Sequence, residues 1–340
     1  MMKGKPRTFI IAEGGVNHNG SVNTAKKLVK EAKLSGANAI KFQTFRADKL
    51  VSRKLEKAEY QKKTTKSTES QYDMIKRLEL GVKEHQELVR FCRSQNIMFL
   101  SSPFDEESAD LLEKLNVKMF KIGSGEITNL PFLQHVARKD RPMIISTGMA
   151  TLGEVEEAID TIVTAGNSNI TLLHCVTEYP APYADINLRA MITMKEAFGL
   201  PFGYSDHTEG IEIAVAAVAL GAQFIEKHFT LDRNSEGPDH KSSLEPGMFH
   251  EMVLAIRNVE AALGDGRKRP AESELKNIPI ARKSVVALHA IKRGQMITKD
   301  LVSIKRPGFG IQPKDLNKIL GLKARRSIPM DQAITWDDLI

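Results

Sequence analysis

TFIIAEGGVNHNGSVNTAKKLVKEAKLSGANAIKFQT (Thr8–Thr44) opens on a short apolar run, crosses a turn rich in Gly and Asn, takes up helical spacing and returns to a second apolar run. The two runs, Thr8–Glu13 and Ala39–Thr44, have the length and the β-branched or aromatic content of strands. Between them, Thr24–Ser35 repeats apolar residues every three or four positions, as an amphipathic helix does. Strand, helix and strand in this order predict a parallel βαβ unit. Lys41 stands inside the second apolar run, where an unpaired ammonium is costly, so it demands an anion or a carboxylate.

The unit recurs along the chain. Further strands are expected at Met98–Ser102, Met119–Ser124, Met143–Thr147, Ile170–Cys175, Phe202–Asp206 and Gln223–Phe229. Helical patterns at Glu106–Leu115, Leu152–Thr164, Leu188–Phe198 and Ile211–Leu220 separate them. Eight strands in this alternation predict an α/β fold of the closed (β/α)8 TIM-barrel type rather than an open doubly wound sheet. A polar insertion, Asp48–Glu69, follows the second strand and reads as a lid or a disordered excursion, before a helical pattern resumes at Tyr72. After Pro246–Leu263 comes GDGRKRPAESELKN, a linker by its Gly, Pro and charge. From about Ala281 short segments punctuated by Gly and Pro predict a small β-rich domain. The expected division is a barrel over 1–265, a linker over 266–280 and the small domain over 281–340.

Composition narrows the function classes. Over 340 residues, 41% apolar and 27% charged content excludes disorder. The net charge of +7 is spread among 42 acidic residues with no basic stripe interleaved with aromatics, which argues against a nucleic-acid partner. Cys92 and Cys175 are the whole cysteine content, so no disulfide framework exists and a reducing compartment fits. The apolar run before Glu13 is too short for a secretory signal, and none approaches the ~20 residues of a membrane span. The expectation is a cytoplasmic enzyme with no membrane partner.

Barrel enzymes build their sites at the C-terminal ends of the strands. Here those ends carry Glu13, Lys41 with Gln43, Ser101 with Ser102, and Lys121 with Ser124 and Glu126. They continue with Ser146 and Thr147, His174 with Thr177 and Tyr179, Ser205 with His207, and Glu226 with His228. One polar strand end is ordinarily a helix cap or a satisfied core group; a full circle of them points to chemistry. Lys41 and Lys121, near the hydroxyls of Ser124, Ser146 and Thr147, suggest a phosphate cradle, the alternative being pairing with Glu13, Glu126 or Glu226. His207 and His228, on consecutive strands, are candidate metal ligands that leave coordination positions open for water and substrate. The alternative is a pair of buried, hydrogen-bonded histidines. His18 serves either the site or the ordering of the first loop.

On these residues the chain resembles the sialic acid synthase family, the bacterial nonulosonic acid synthases. The resemblance is carried by AEGGVNHNG (Ala12–Gly20), IKFQT (Ile40–Thr44), SSPFD (Ser101–Asp105), FKIGSGE (Phe120–Glu126) and ISTGMA (Ile145–Ala150). It continues through HCVTEYPAP (His174–Pro182), GYSDHT (Gly203–Thr208), IEKHFTLD (Ile225–Asp232) and GPDHKSSLEP (Gly237–Pro246). The tail, with ITKDLVSIKRPGFGI, resembles that family's antifreeze-like (SAF) domain.

The resemblance implies an N-acetylneuraminate synthase-type reaction serving surface polysaccharide or glycan biosynthesis. C3 of phosphoenolpyruvate attacks the open-chain aldehyde of N-acetylmannosamine or a close N-acylated amino sugar, water adds at C2, and phosphate leaves. It implies Mn2+ or Mg2+ on His207 and His228, phosphoenolpyruvate on Lys41, Lys121, Ser124, Ser146 and Ser205, and Glu13 acting near the aldehyde and water. Sugar-binding positions fall on Gln43, Ser102, Glu126, Thr177, Tyr179, Asp239 and Arg306, the last reaching into a partner's barrel in a domain-swapped homodimer. Gly14 replaces an expected apolar residue, a matter of packing. Thr177 stands where sialic acid synthases can carry Asn, a form that also occurs in legionaminic-type members. The alternative acceptor is therefore 2,4-diacetamido-2,4,6-trideoxymannose. A 3-deoxy-octulosonate phosphate synthase is disfavoured by the tail, and a non-catalytic sugar-binding protein would leave the lysines and histidines idle.

Overall fold

Alternation along the strands builds the first of two compact units, Met1–Gly264 and Asp265–Ile340. The structure, a computed structural model, describes residues 7–57, 62, 65 and 69–340. Most of the second half of the polar insertion lies outside the described residues.

The strands of the first unit are β1 (Phe9–Gly15), β2 (Ala39–Thr44), β3 (Met98–Pro103), β4 (Phe120–Ile122), β5 (Met143–Ser146), β6 (Ile170–His174), β7 (Phe202–Asp206) and β8 (Phe224–His228). They pair in parallel in the order β3-β2-β1-β8-β7-β6-β5-β4. β3 and β4 lie side by side, so the sheet curls into a barrel. β4 stops two residues short of the expected Ser124. The chain there turns through Gly123 and Gly125 into a 3-10 turn, Ser124–Glu126, because glycines bring no side chain to pack on a pleated sheet.

Helices α1 (Val22–Leu34), α2 (Ala47–Leu50), α3 (Gln71–Leu78), α4 (Val82–Ser94), α5 (Glu106–Lys114) and α6 (Leu130–Ala137) fill the first half of the unit. Helices α7 (Leu152–Thr164), α8 (Arg189–Phe198), α9 (Glu212–Ala219) and α10 (Pro246–Ala262) complete it. Their starts follow local chemistry. The Ser21 hydroxyl accepts from the Thr24 amide at the head of α1, and Thr151 with Glu154 forms a capping box on α7. Gly199 ends α8 in the left-handed conformation.

Outward-facing Ile10, Ala12, Ile40, Phe42, Phe120 and Ile225 join the main core between sheet and helices. Inward-facing Ile11, Ala39, Leu100, Ile144 and Leu173 form a separate apolar plug inside the barrel. Because strand side chains repeat every two residues, the next inward positions are Glu13, Lys41, Ser102 and Ser146. Register then sets Glu13 opposite Lys41 on one side and opposite His228 on the other. A polar layer thus sits on an apolar floor, toward the C-terminal strand ends.

Above it the insertion after β2 folds back. Ser70 caps α3, the Tyr72 hydroxyl donates to Asp48 at 2.6 Å, and Glu79 accepts from the Ala47 amide. Val16, Phe45, Met74 and Leu78 form a small buried cluster with Leu50, Ile75 and Phe104 packed on it, apart from the main core. Among the described residues no helix is long and apolar enough to cross a membrane.

The second unit pairs β9 (Ser284–Ala287) antiparallel with β10 (Val302–Lys305) over its own core, which includes Val285, Ile297, Ile319 and Ile334. Its first residues form two single-turn helices, Glu272–Leu275 and Ile278–Ala281.

Candidate active site

Two carboxylates and two ammoniums make the floor of the pocket. Lys41 Nζ lies 2.9 Å from Glu13 Oε2 and 3.5 Å from Glu226 Oε1, and it donates to Ser102 Oγ at 3.1 Å. Lys121 Nζ lies 3.2 Å from the same Glu226 oxygen, which also accepts from Ser205 Oγ at 3.0 Å. All of these groups are buried. The lysines are therefore paired with Glu13 and Glu226, one of the two alternatives left open by the sequence. Pairing does not cancel their charge. Burial opposes ionisation of Glu226, but Lys121 and Lys41 overcome it and hold that carboxyl down at about 2. Burial pushes Glu13 up to about 7, with Lys41 opposing and Glu226 reinforcing the rise. Two ammoniums thus face one carboxylate that stays charged and one that titrates near neutrality, and the floor can accept an anion.

Glu126 does not join this floor. It sits on the 3-10 turn after β4, accepts from Asn129 Nδ2 at 2.7 Å, and is not among the lining residues of the pocket. It lies beyond the end of β4, where strand alternation no longer sets the direction of a side chain. Glu226, conversely, is the hub that joins both lysines, a role its position at a strand end did not reveal.

Hydroxyls and amides ring the lysines. Ser124 Oγ accepts from the Gly148 amide at 3.0 Å and lies 3.1 Å from Cys175 Sγ. The buried Ser146 Oγ, Thr177 Oγ1 and Glu226 Oε2 have no hydrogen-bond partner among the described residues. Buried polar atoms ordinarily have one, so these point to a polar ligand.

His207 and His228 face each other with ring centroids 5.4 Å apart. His207 Nδ1 lies 2.6 Å from the Val176 carbonyl and must donate to it, which leaves Nε2 with a free lone pair. Burial pulls His207 down to about 4 and His228 well below the usual imidazole range, so both are neutral, the form that binds metals. His228 Nδ1 is buried with no hydrogen-bond partner among the described residues. Tyr179 stacks on His207 at 4.3 Å between centroids and meets His228 edge-on at 5.4 Å. Behind the pair, Lys227 is fully buried and donates to Asp206 Oδ2 at 2.8 Å and to the Thr208 carbonyl at 2.6 Å, tying the ends of β7 and β8 together. Among the described residues no group of three His, Cys, Asp or Glu is placed to hold a metal. An ion on this pair would take its other ligands from water and substrate, as a catalytic site requires. His18 belongs to the first loop, where its Nδ1 accepts from the Gly20 amide.

Gly15 opens the space beside the floor. A methyl group there would stand 3.2 Å from Glu13 Oε1, 3.4 Å from Asp239 Oδ2 and 3.6 Å from Gln43 Nε2, so these three groups surround one small volume. Burial lifts Asp239 to about 6. At Gly14 a methyl group would meet the Phe42 ring at 3.1 Å. Gln43, Ser102, Thr177, Tyr179 and Asp239 all line the pocket with the floor residues and the histidines. Arg306 belongs to the second unit, just after β10 and before a cis peptide bond to Pro307. The remaining wall is apolar and comes from the α3 cluster. Its helical face was visible as a pattern beginning at Tyr72, but nothing local said what that face covers.

A model of the NeuB family matches residues 28–268, and a model of the SAF domain matches residues 282–340. The chain is 52% identical over 330 residues to an N,N'-diacetyllegionaminic acid synthase of Campylobacter jejuni, covering 96% of this chain and 99% of the relative. It is 47% identical over 335 residues to a protein of the same name from Legionella pneumophila, covering 97% and 94%. Among solved structures it is similar to the N-acetylneuraminic acid synthetase of Leptospira borgpetersenii in complex with citrate. That likeness has a TM-score of 0.71 and 36% identity over 80% of this chain and 90% of the other.

Proposed function

This chain belongs to the NeuB family, and on that premise we propose that it condenses phosphoenolpyruvate with 2,4-diacetamido-2,4,6-trideoxymannose, releasing phosphate and a diacetylated nonulosonic acid. It is a synthase of the nonulosonic acid class, whose members use phosphoenolpyruvate to make a carbon–carbon bond. The choice of acceptor over N-acetylmannosamine is supported by near full-length identity to two relatives named for the legionaminic product. The observation that carries the chemistry is the pair Glu13 and Glu226 bracketing Lys41, with two neutral histidines beside it.

In this reading Lys41 and Lys121 neutralise the phosphate and carboxylate of phosphoenolpyruvate, Ser124 and Ser146 donate to its oxygens, and Ser205, donating to Glu226, stands beside them. C3 bonds to the acceptor's aldehyde carbon, and the aldehyde oxygen takes up a proton to become a hydroxyl. Water bonds at C2 and gives up its protons, and the C2–O bond breaks to leave a ketone and inorganic phosphate. Glu13, held near neutrality, accepts a proton from that water. His207 and His228 would hold Mn2+ or Mg2+ through their free ring nitrogens. A divalent ion supplies Lewis-acid polarisation of the aldehyde when bound. Gln43, Tyr179 and Asp239 orient the acceptor. Arg306, supplied by a partner copy in a domain-swapped homodimer, completes the sugar contacts, and the reaction runs in the cytoplasm where phosphoenolpyruvate is made.

Phosphate release with phosphoenolpyruvate and each candidate acceptor tests this. The expected result is turnover that favours the diacetamido sugar, is abolished by chelation, returns with Mn2+, and is lost in His228→Ala. A preference for N-acetylmannosamine would overturn the acceptor, and unchanged turnover in His228→Ala would overturn the metal assignment.

A further inference from the structure

We infer that the apolar cluster above the catalytic floor is the wall that selects the acceptor at C6, built to take a methyl group there rather than a hydroxymethyl or a phosphorylated one. This rests on the synthase reading above.

Every member of the cluster lines the pocket. Val16 comes from the loop after β1, Phe45 follows β2 directly, Leu50 belongs to α2, and Met74, Ile75 and Leu78 come from α3. A satellite cluster under a long loop is common and need mean nothing more than local packing. Here Leu50, Ile75 and Phe104 are only half-buried, although they belong to the cluster and face the cavity. The segment is also held in place. Tyr72 donates to Asp48, the Ala47 amide donates to Glu79, and the Arg46 amide donates to Asp105 Oδ2 at 3.2 Å.

Chemistry assigns the direction of the acceptor. Its aldehyde carbon must meet C3 of phosphoenolpyruvate, so that end lies at Glu13, Lys41 and the histidines. The far end of the open six-carbon chain then rises toward the mouth, where β1 to β3 offer this cluster. None of the cluster's side chains carries a charge or a hydrogen-bonding hydroxyl, amide or amine. A C6 hydroxyl pressed there would lose water and gain no partner, and a phosphate would do so at far greater cost. A methyl group removes apolar surface from water on both sides.

The test compares kcat/KM for four mannose-derived 2-acetamido acceptors, with hydroxyl or acetamido at C4 and methyl or hydroxymethyl at C6. The wild type should favour the C6-methyl member of each pair it accepts by roughly tenfold to a hundredfold, the range a methyl-sized difference in an apolar pocket gives. Ile75→Asn and Leu50→Asn, made separately, should shrink that ratio severalfold while the KM for phosphoenolpyruvate holds. Wild-type turnover with no C6 preference would overturn the wall and leave the synthase reading standing. A ratio unmoved in both folded variants would do the same. No turnover with any of the four would overturn both. If a variant fails to fold, the wild-type ratio still decides.

Discussion

Glu13 and Glu226 reach the same ammonium from neighbouring strands, at 2.9 and 3.5 Å from Lys41 Nζ, and yet differ widely in acidity. Glu226 has Lys121 as a second cation and the Ser205 hydroxyl as a donor. Glu13 is raised first by burial, shares the opposing charge of Lys41 with Glu226, and suffers the repulsion of Glu226. Two carboxylates pushed apart by their surroundings can divide the labour of an acid–base site, one staying charged while the other exchanges protons near neutrality.

A raised carboxyl makes a signed prediction. Glu13 is pushed from 4.5 to about 7 in the fold, so the native state holds a proton that the unfolded chain has lost between those values. Its contribution to stability is full below about pH 4.5 and is lost as pH rises through about 7. Thermal unfolding from pH 4.5 to 8 should show the wild type losing ground to Glu13→Gln as pH rises, by on the order of 1–3 kcal/mol. The wild-type kcat/KM should climb with an apparent pKa near 7. A flat difference between the two proteins would remove Glu13 as the titrating group.

Glu226→Gln should move stability and anion binding in opposite directions. It leaves Lys41 and Lys121 with only Glu13 to answer two buried ammoniums, and breaking a buried pair costs about 3–5 kcal/mol. The same excess of positive charge should bind inorganic phosphate more tightly, so added phosphate should raise Tm more in the variant than in the wild type. A variant that loses stability without gaining phosphate-induced protection would show that the lysines do not face the ligand.

Much of this arrangement could be read from the sequence, and what could not had a physical reason. Lys41 in an apolar strand declared that it needed an anion, and alternation turns it inward with Glu13 once Ile40 and Phe42 are seen to face the helices. Which of three glutamates would answer it was not decidable, because that depends on register between strands distant in the sequence. The strand expected to reach Ser124 ends at Ile122, so Glu126 falls on a turn after Gly123 and Gly125, and its direction could not be read from alternation. The wall stayed hidden for another reason: periodicity shows that α3 has an apolar face, but the surface that face meets is set by how the insertion folds back.

Arg306→Ala should raise the KM for the acceptor more than that for phosphoenolpyruvate, since its expected role is at the sugar. If it acts across a homodimer, mixing Arg306→Ala with His228→Ala should restore turnover at low acceptor concentration, because one barrel in the mixed dimer would have both residues. Equal effects on the two KM values, or a mixture no better than its parts, would count against the role.

Gly20 offers a test of how the first loop supports the wall. Its φ is +76°, and a methyl group there would stand 2.5 Å from the Arg77 carbonyl oxygen, which is backbone in the last turn of α3. Gly20→Ala therefore incurs backbone strain and pushes on the helix that carries Met74, Ile75 and Leu78. The strain alone is worth roughly 1–3 kcal/mol. Gly166→Ala makes the control, since that glycine is also left-handed, at +100°, but a methyl group there meets nothing within 4 Å. Both should lose stability, measured as Tm. Only Gly20→Ala should raise the acceptor KM, with the KM for phosphoenolpyruvate unchanged, because Lys41 and Lys121 stand on strands that the shift in α3 does not touch. If the two variants show the same kinetics, α3 does not reach the acceptor, and the insertion is a cover and not a wall.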